Sequence, residues 1–505
     1  MSGIGGRIGI RGVAVVVSLL LSAWCVYRDP VINGDGILYM RAAEAILEGG
    51  WGAGNAIYPW PFYAWLVALL HQLTGLGLEP AAHLLDFPLQ ALAVWAFITL
   101  VEALGGDRRT MLAAAIVILA HPHFNEYRSF VIRDFGYWAL YLVALAWLVR
   151  FFKAPGVGAA VAWGVAMLLA TLFRVEGMFI LLLAPLALLF RAEIPLAARW
   201  KQLATAHLVT LAVFAALVAW LLSGASIEQA GRLAEPLERL QHFWGQLAGG
   251  FRHQAAALAQ AILNQYSSSY AMAAVLAVLG VILLDKTIGT LSPLYAVLGL
   301  HVWRRGLLPP CGGAGRLLAW LALVQAAILV VFLGSYFFLT GRHTMALALT
   351  VMPAVPFSLV ALYDGWLRRG AGERVVRWLF PAVCAVLLVM AVDGLWSFGP
   401  SKAYLRDAGL WIKARTSPAS KVHSNNPIVA FYAGDRREHR ARAFTWEETA
   451  AVLRAKSRRE YDYIAVTIDD RHPERAAAVA AALGDAPVAR FDDGRGKQVL
   501  VFATR

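Results

Sequence analysis

Apolar runs close to the length of a bilayer crossing recur along this chain as far as residue 396, and no other feature restricts its fold as much. They fall at about 10–27, 82–104, 110–124, 135–152, 156–173, 177–190, 202–222, somewhere in 267–302, then 317–339, 344–364 and 375–396. A helix rises about 1.5 Å per residue, so a hydrocarbon core of roughly 30 Å takes about 20 apolar residues to cross. The pattern predicts a mostly α, polytopic membrane protein of about eleven transmembrane helices. Composition agrees, with 59% hydrophobic and 15% charged residues, where soluble domains carry about 25% charged. An ordinary cytosolic enzyme and a disordered chain are both excluded. The charge is concentrated at the end: residues 401–505 hold 19 Lys/Arg and 13 Asp/Glu. The expected division is a membrane domain over 1–396 and a soluble α/β domain over 397–505.

The loops sort by sign. Arg7 and Arg11, Arg108 and Arg109, Arg150 and Lys153, Arg191, Arg199 and Lys201, Arg304, Arg305 and Arg316, and Arg368, Arg369, Arg374 and Arg377 all fall on one side. Basic loops stay cytoplasmic. That sidedness places 28–81, 121–134, 174–176, 223–266, 340–343 and the C-terminal domain outside the cytoplasm. The apolar segment 57–74 opens Tyr58-Pro59-Trp60-Pro61 and breaks this parity if counted as a crossing, so it reads as an interfacial or re-entrant helix. The region 267–302 is split by Asp285-Lys286 and is compatible with one crossing or three. In the tail, 422–423, 428–432, 461–468 and 498–503 read as strands and Pro473–Leu483 as a helix.

The formal net charge of +13 follows largely from these loops, and nucleic acid is not an expected partner. Cys25, Cys311 and Cys384 lie in or beside apolar runs and offer no disulfide framework. Two arginines precede the first run, with no small-residue cleavage site after it, as in a retained signal anchor.

Charges at the outer ends of the spans are the candidates for chemistry, because ionisable groups at membrane depth are costly. Asp35 stands in Asn33-Gly34-Asp35-Gly36 before an amphipathic stretch; it reads either as a helix cap or as a functional acid. The loop from His121 to Trp138 carries His121, His123, Glu126, Arg133 and Asp134. Arg133-Asp134 entering a span suggests a lined cavity. His121, His123 and Glu126 have the side chains of metal ligands but match no zinc spacing, so a divalent metal stays open and no other cofactor is implied. Arg174 and Glu176 read as a mutual pair or as part of a site. Arg342-His343 reads as a snorkelling anchor or as a phosphate ligand, since the arginine fork matches phosphate oxygens.

In their order along the chain these residues resemble the GT-C superfamily of polytopic glycosyltransferases, which use polyprenyl-phosphate sugars and include protein mannosyltransferases and aminoarabinose transferases. The shared features are Asp35 in a long first loop, the segment Tyr58-Pro59-Trp60-Pro61, Arg133-Asp134, the stretch from Arg174 to Gly177, and Gly341-Arg342-His343 before a late span. The tail from Lys421 to Gly434 is similar to external tails in the superfamily. The adjacent Asp-Glu pair of protein mannosyltransferases is absent, because Asp35 is followed by Gly36.

The resemblance implies inverting transfer of a hexosyl or pentosyl group to an acceptor hydroxyl, on the external face of a bacterial inner membrane. The acceptor is a lipid, a glycan or a protein. Asp35 would be the general base and Asp134 a second acid; Arg133, Arg174 and Arg342 would hold phosphate. His343 and Tyr58 would touch the donor, and Glu176 and Glu126 would support. A transporter or flippase of a lipid-linked or anionic substrate is the alternative. It predicts repeats and broken mid-membrane helices, whereas the polar clusters here sit at span ends.

Overall fold

The computed structural model describes residues 9–224, 235–309, 313–368, 374–396, 401–417, 420–434, 444–454, 460–483 and 486–504. Arg7, Cys311 and Arg369 lie outside them. The chain forms two compact units, one made of Met1–Leu19, Pro88–Asn125 and Arg133–Gly394, the other of Leu20–Phe87, Glu126–Ile132 and Leu395–Arg505. The first-loop segment expected to lie outside the cytoplasm therefore folds with the C-terminal residues.

Each of the eleven apolar runs contains helix, but fewer qualify as spans. Among the described residues, seven helices are long and apolar enough to cross a membrane: Ile10–Arg28, Leu78–Ala103, Asp134–Lys153, Ser268–Leu291, Ala314–Tyr336, Gly341–Leu367 and Trp378–Leu395. The run at 202–222 is a pair, Leu196–Ala206 and Leu208–Leu222, bent by 58°. Arg108–Leu119 has 12 residues, which at the helical rise reach only about 18 Å. Val157–Phe173 and Gly177–Phe190 are also shorter apolar helices. Among the described residues the candidate spans are thus seven, or eight with the bent pair, and the expected eleven full crossings are not confirmed. The region 267–302 breaks once, at Ser292 with φ 71°, leaving one span and the 13-residue helix Pro293–Arg305. The segment 57–74 yields only the 13-residue helix Phe62–Thr74. The stretch 223–266, expected as a loop, carries the helix Glu235–Ala261.

In the second unit four strands form a mixed sheet, β1 (Val422–Ser424), β2 (Tyr463–Asp469), β3 (Ala489–Asp492) and β4 (Lys497–Ala503), in the order β1-β2-β4-β3. Strand β1 runs parallel to β2, while β2–β4 and β3–β4 are antiparallel. The period-two alternation buries both faces. Ala465, Val499 and Val501 pack with Leu405, Ala408 and Ile412 of helix Ala403–Lys413. Ile464, Val466, Ile468 and Phe502 pack with Leu453 and Val479 on the other face.

The segment 428–432, expected as a strand, is instead the helix Pro427–Tyr432. The Asn426 side chain accepts from the Ile428 N–H at 3.0 Å and proline fills the first helical position. Both are helix-start signals that override the β-forming composition.

Candidate active site

In the first unit, helices Asp134–Lys153 and Val157–Phe173 form an antiparallel hairpin, so the start of one and the end of the other share one end. Gly136 permits their approach: a Cβ there would lie 2.2 Å from the Phe173 ring. This contact is two residues from Asp134 and one residue from Arg174.

Arg174 donates through Nη1 to Asp134 Oδ1. It reaches Glu176 Oε1 through Nη2 at 2.8 Å and Glu176 Oε2 through Nε at 3.4 Å. A guanidinium has five N–H donors, so one hydrogen remains on each terminal nitrogen. The side chains of Arg174 and Asp134 are 10% and 4% exposed, which makes the pair a buried one. Burial alone would raise the Glu176 carboxyl, but the Arg174 charge and hydrogen bonds, with Arg133, pull it down to about 2.

The charges of Arg342 and Arg133 also act on the Asp134 carboxylate. Three arginines against two carboxylates leave one positive charge in the cluster. Arg174, Glu176, Arg342 and His343 line a cavity of about 30 Å³ with Tyr137 and Gln325, room for about one water.

His343 is partly committed to structure. Its Nδ1 accepts the Thr340 N–H at 3.3 Å and lies 2.8 Å from Thr340 Oγ1, forming a capping box at the start of helix Gly341–Val351. Its ring packs 4.4 Å from Phe332.

Asp35 and Tyr58 belong to the second unit. Asp35 occupies the first turn of helix Gly34–Ile57, and the N-cap is Asn33 rather than Asp35. Asn33 Oδ1 is turned to the Val131 N–H at 2.8 Å. At Gly36 a Cβ would meet Ile32 at 2.8 Å, Asn33 at 2.9 Å and Val131 at 3.0 Å. A second acid beside Asp35 is therefore blocked by packing. Tyr58 stands edge-on to Tyr39 at 5.2 Å, Tyr39 meets Tyr63 at 5.1 Å, and Tyr63 donates to Asp86 at 2.9 Å.

Among the described residues no group of three or more His, Cys, Asp or Glu side chains is placed to hold a metal. The suggested set does not gather: His121 is buried, with Nδ1 accepting the Phe124 N–H and its ring 5.7 Å from Tyr295, while Glu126 is exposed in the second unit.

Among solved structures, the oligosaccharyltransferase AglB of Archaeoglobus fulgidus, in complex with an inhibitory peptide and a dolichol-phosphate, matches at TM-score 0.54 and 13% identity. The match covers 93% of this chain and 71% of that one. The likeness is one of fold. A second structure of an A. fulgidus oligosaccharyltransferase, tethered to an acceptor peptide by a disulfide, matches at TM-score 0.50 and 13% identity, over 94% of this chain and 71% of that one. No protein-family model and no curated protein matches by sequence.

Within the first unit, sequence reasoning missed Gln325. It is 4% exposed inside the apolar helix Ala314–Tyr336, and the Tyr137 and Tyr141 side chains turn to it. A neutral polar residue in mid-span was the available signal.

Proposed function

We propose that the chain transfers a sugar from a polyprenyl-phosphate donor to an acceptor hydroxyl, with inversion, outside the cytoplasm. The observation that carries this reading is the cluster of Arg133, Arg174 and Arg342 around Asp134 and Glu176, with Arg174 and Asp134 buried at its centre, in a fold shared with AglB. AglB supports the donor class, since it is described with a dolichol-phosphate. The sidedness rests on the far ends of the same helices, where Arg150 and Lys153 close one and Arg316 opens another; basic ends stay cytoplasmic.

In transfer from such a donor the glycosidic C–O bond to phosphate breaks as the acceptor oxygen bonds the anomeric carbon. The acceptor proton passes to a carboxylate and the electron pair leaves with the phosphate. Arg342 and Arg133 would face that phosphate, where fixed positive charge is worth most. Arg174, bonded to both carboxylates, is assigned to positioning Asp134, which orients the acceptor. Glu176 supports Arg174, and Glu126 is a further supporting acid. Asp35 is the general base, with Tyr58 and His343 as donor contacts. The acceptor is a lipid, glycan or protein hydroxyl.

The test of the base is Asp35→Asn. Asn keeps the shape but cannot accept a proton at neutral pH, so turnover should vanish while binding of a polyprenyl-phosphate hexose persists. Turnover near wild type would remove Asp35 from the chemistry.

A further inference from the structure

The second unit contains a cavity of about 790 Å³, within the roughly 300–1,000 Å³ usual for ligand sites. None of the cluster described above contributes to it. Helix Ala403–Lys413 explains one wall. Tyr404, Leu405, Ala408 and Ile412 are buried against the sheet, which leaves Arg406, Leu410 and Lys413 on the opposite stripe, at helical spacing. All three line the cavity. Thr416, Ser417 and Ser420 continue the wall with hydroxyls.

The facing wall comes from helix Gly34–Ile57. Arg41 is only 4% exposed, and Nη1 donates to Glu44 at 3.1 Å. Its Nε is buried without a partner, an expensive arrangement for a guanidinium unless something else satisfies it. Arg41 lies over the Phe431 ring at 5.9 Å and Arg406 over the neighbouring Tyr432 ring at 5.8 Å. The Tyr432 hydroxyl donates to Glu79 at 2.8 Å. Arg41, Arg406 and Lys413 outnumber Glu44 and Glu79, so the walls carry one net positive charge.

We propose that this cavity is a binding site for an anionic, hydroxyl-bearing group, a sugar phosphate or a glycerophosphate headgroup. Arginine forks suit the phosphate oxygens, the serine and threonine hydroxyls suit polyol groups, and Phe431 offers a ring face to a sugar. Binding is read without turnover, so this site stands or falls apart from the transfer reaction.

Leu410 is 39% exposed and lines the cavity, so Leu410→Cys places a thiol on its wall. Alkylation of that cysteine is followed by peptide mass spectrometry in the full chain in detergent. Glucose 6-phosphate, glucose, inorganic phosphate and phosphatidylglycerol serve as probes. Glucose 6-phosphate should slow alkylation at lower concentration than glucose or inorganic phosphate. Protection by phosphatidylglycerol alone would assign the site to a lipid headgroup of the same chemistry.

Adding Arg406→Gln and Lys413→Gln, both away from the buried core, should raise the protecting concentration at least tenfold. Three results would overturn the proposal: protection by no anionic probe, equal protection by glucose or inorganic phosphate, or protection indifferent to the two substitutions.

Discussion

The Arg174 guanidinium pairs with the Asp134 carboxylate across 40 residues of sequence, and both side chains are nearly inaccessible. Removing one member of such a pair leaves a buried charge, which costs about 3–5 kcal/mol. Arg174→Met should therefore lower the thermal midpoint in detergent sharply. Adding Asp134→Asn to it should recover a large part of the loss while leaving the protein without transfer activity. Additive losses in the double variant would show that the two residues do not act as a pair.

Glu176 gives a pH dependence with a definite sign. Its folded carboxyl is held at about 2, against an ordinary value of 4.5. A depressed folded value means stabilisation that is complete above the unfolded pKa and fades as pH falls toward the folded one. Wild-type thermal stability should thus decline between about pH 4.5 and pH 2, and the gap to Glu176→Gln should close over the same window. A gap that is constant with pH would contradict the Arg174 contact as its source.

Gly136 sets the approach of the hairpin that carries Asp134. Because a Cβ would lie 2.2 Å from the Phe173 ring, Gly136→Ala forces the ring or the helices apart. Overpacking of this kind costs about 1–3 kcal/mol. Gly136→Ala combined with Phe173→Leu, which frees space, should regain part of it. Unchanged midpoints for Gly136→Ala would show that the helices part without strain.

Much of this was legible because charge inside an apolar run stands out. Asp134, Arg174 and Arg342 could be named before any contact was known, and their shared end follows from helices that reverse direction. Which of them bond was not legible, since one guanidinium offers several donors and only packing selects the acceptors. Gln325 escaped notice as a single neutral residue in a span. Asp35 read either as a cap or as a functional acid, and the cap position falls to Asn33, which spends its side chain on Val131. The helix at Pro427–Tyr432 was hidden by β-forming residues behind a proline start. Span number was not legible from apolarity alone, because helix length also enters, as the 12-residue helix Arg108–Leu119 shows.

The most direct measurement of the central claim is release of polyprenyl phosphate and transfer of label from radiolabelled polyprenyl-phosphate hexoses and pentoses. It is made with purified wild type, Arg342→Lys and Arg342→Ala, normalised to folded protein. Arg342→Lys keeps the charge but loses the fork. Loss of a charge-assisted contact costs about 1.5–3 kcal/mol, or roughly ten- to a hundredfold in kcat/KM. The account predicts that wild type transfers label, that Arg342→Ala falls by that amount, and that Arg342→Lys lies between. Label that crosses the bilayer of proteoliposomes intact, with no polyprenyl phosphate released by any of the three, would contradict it.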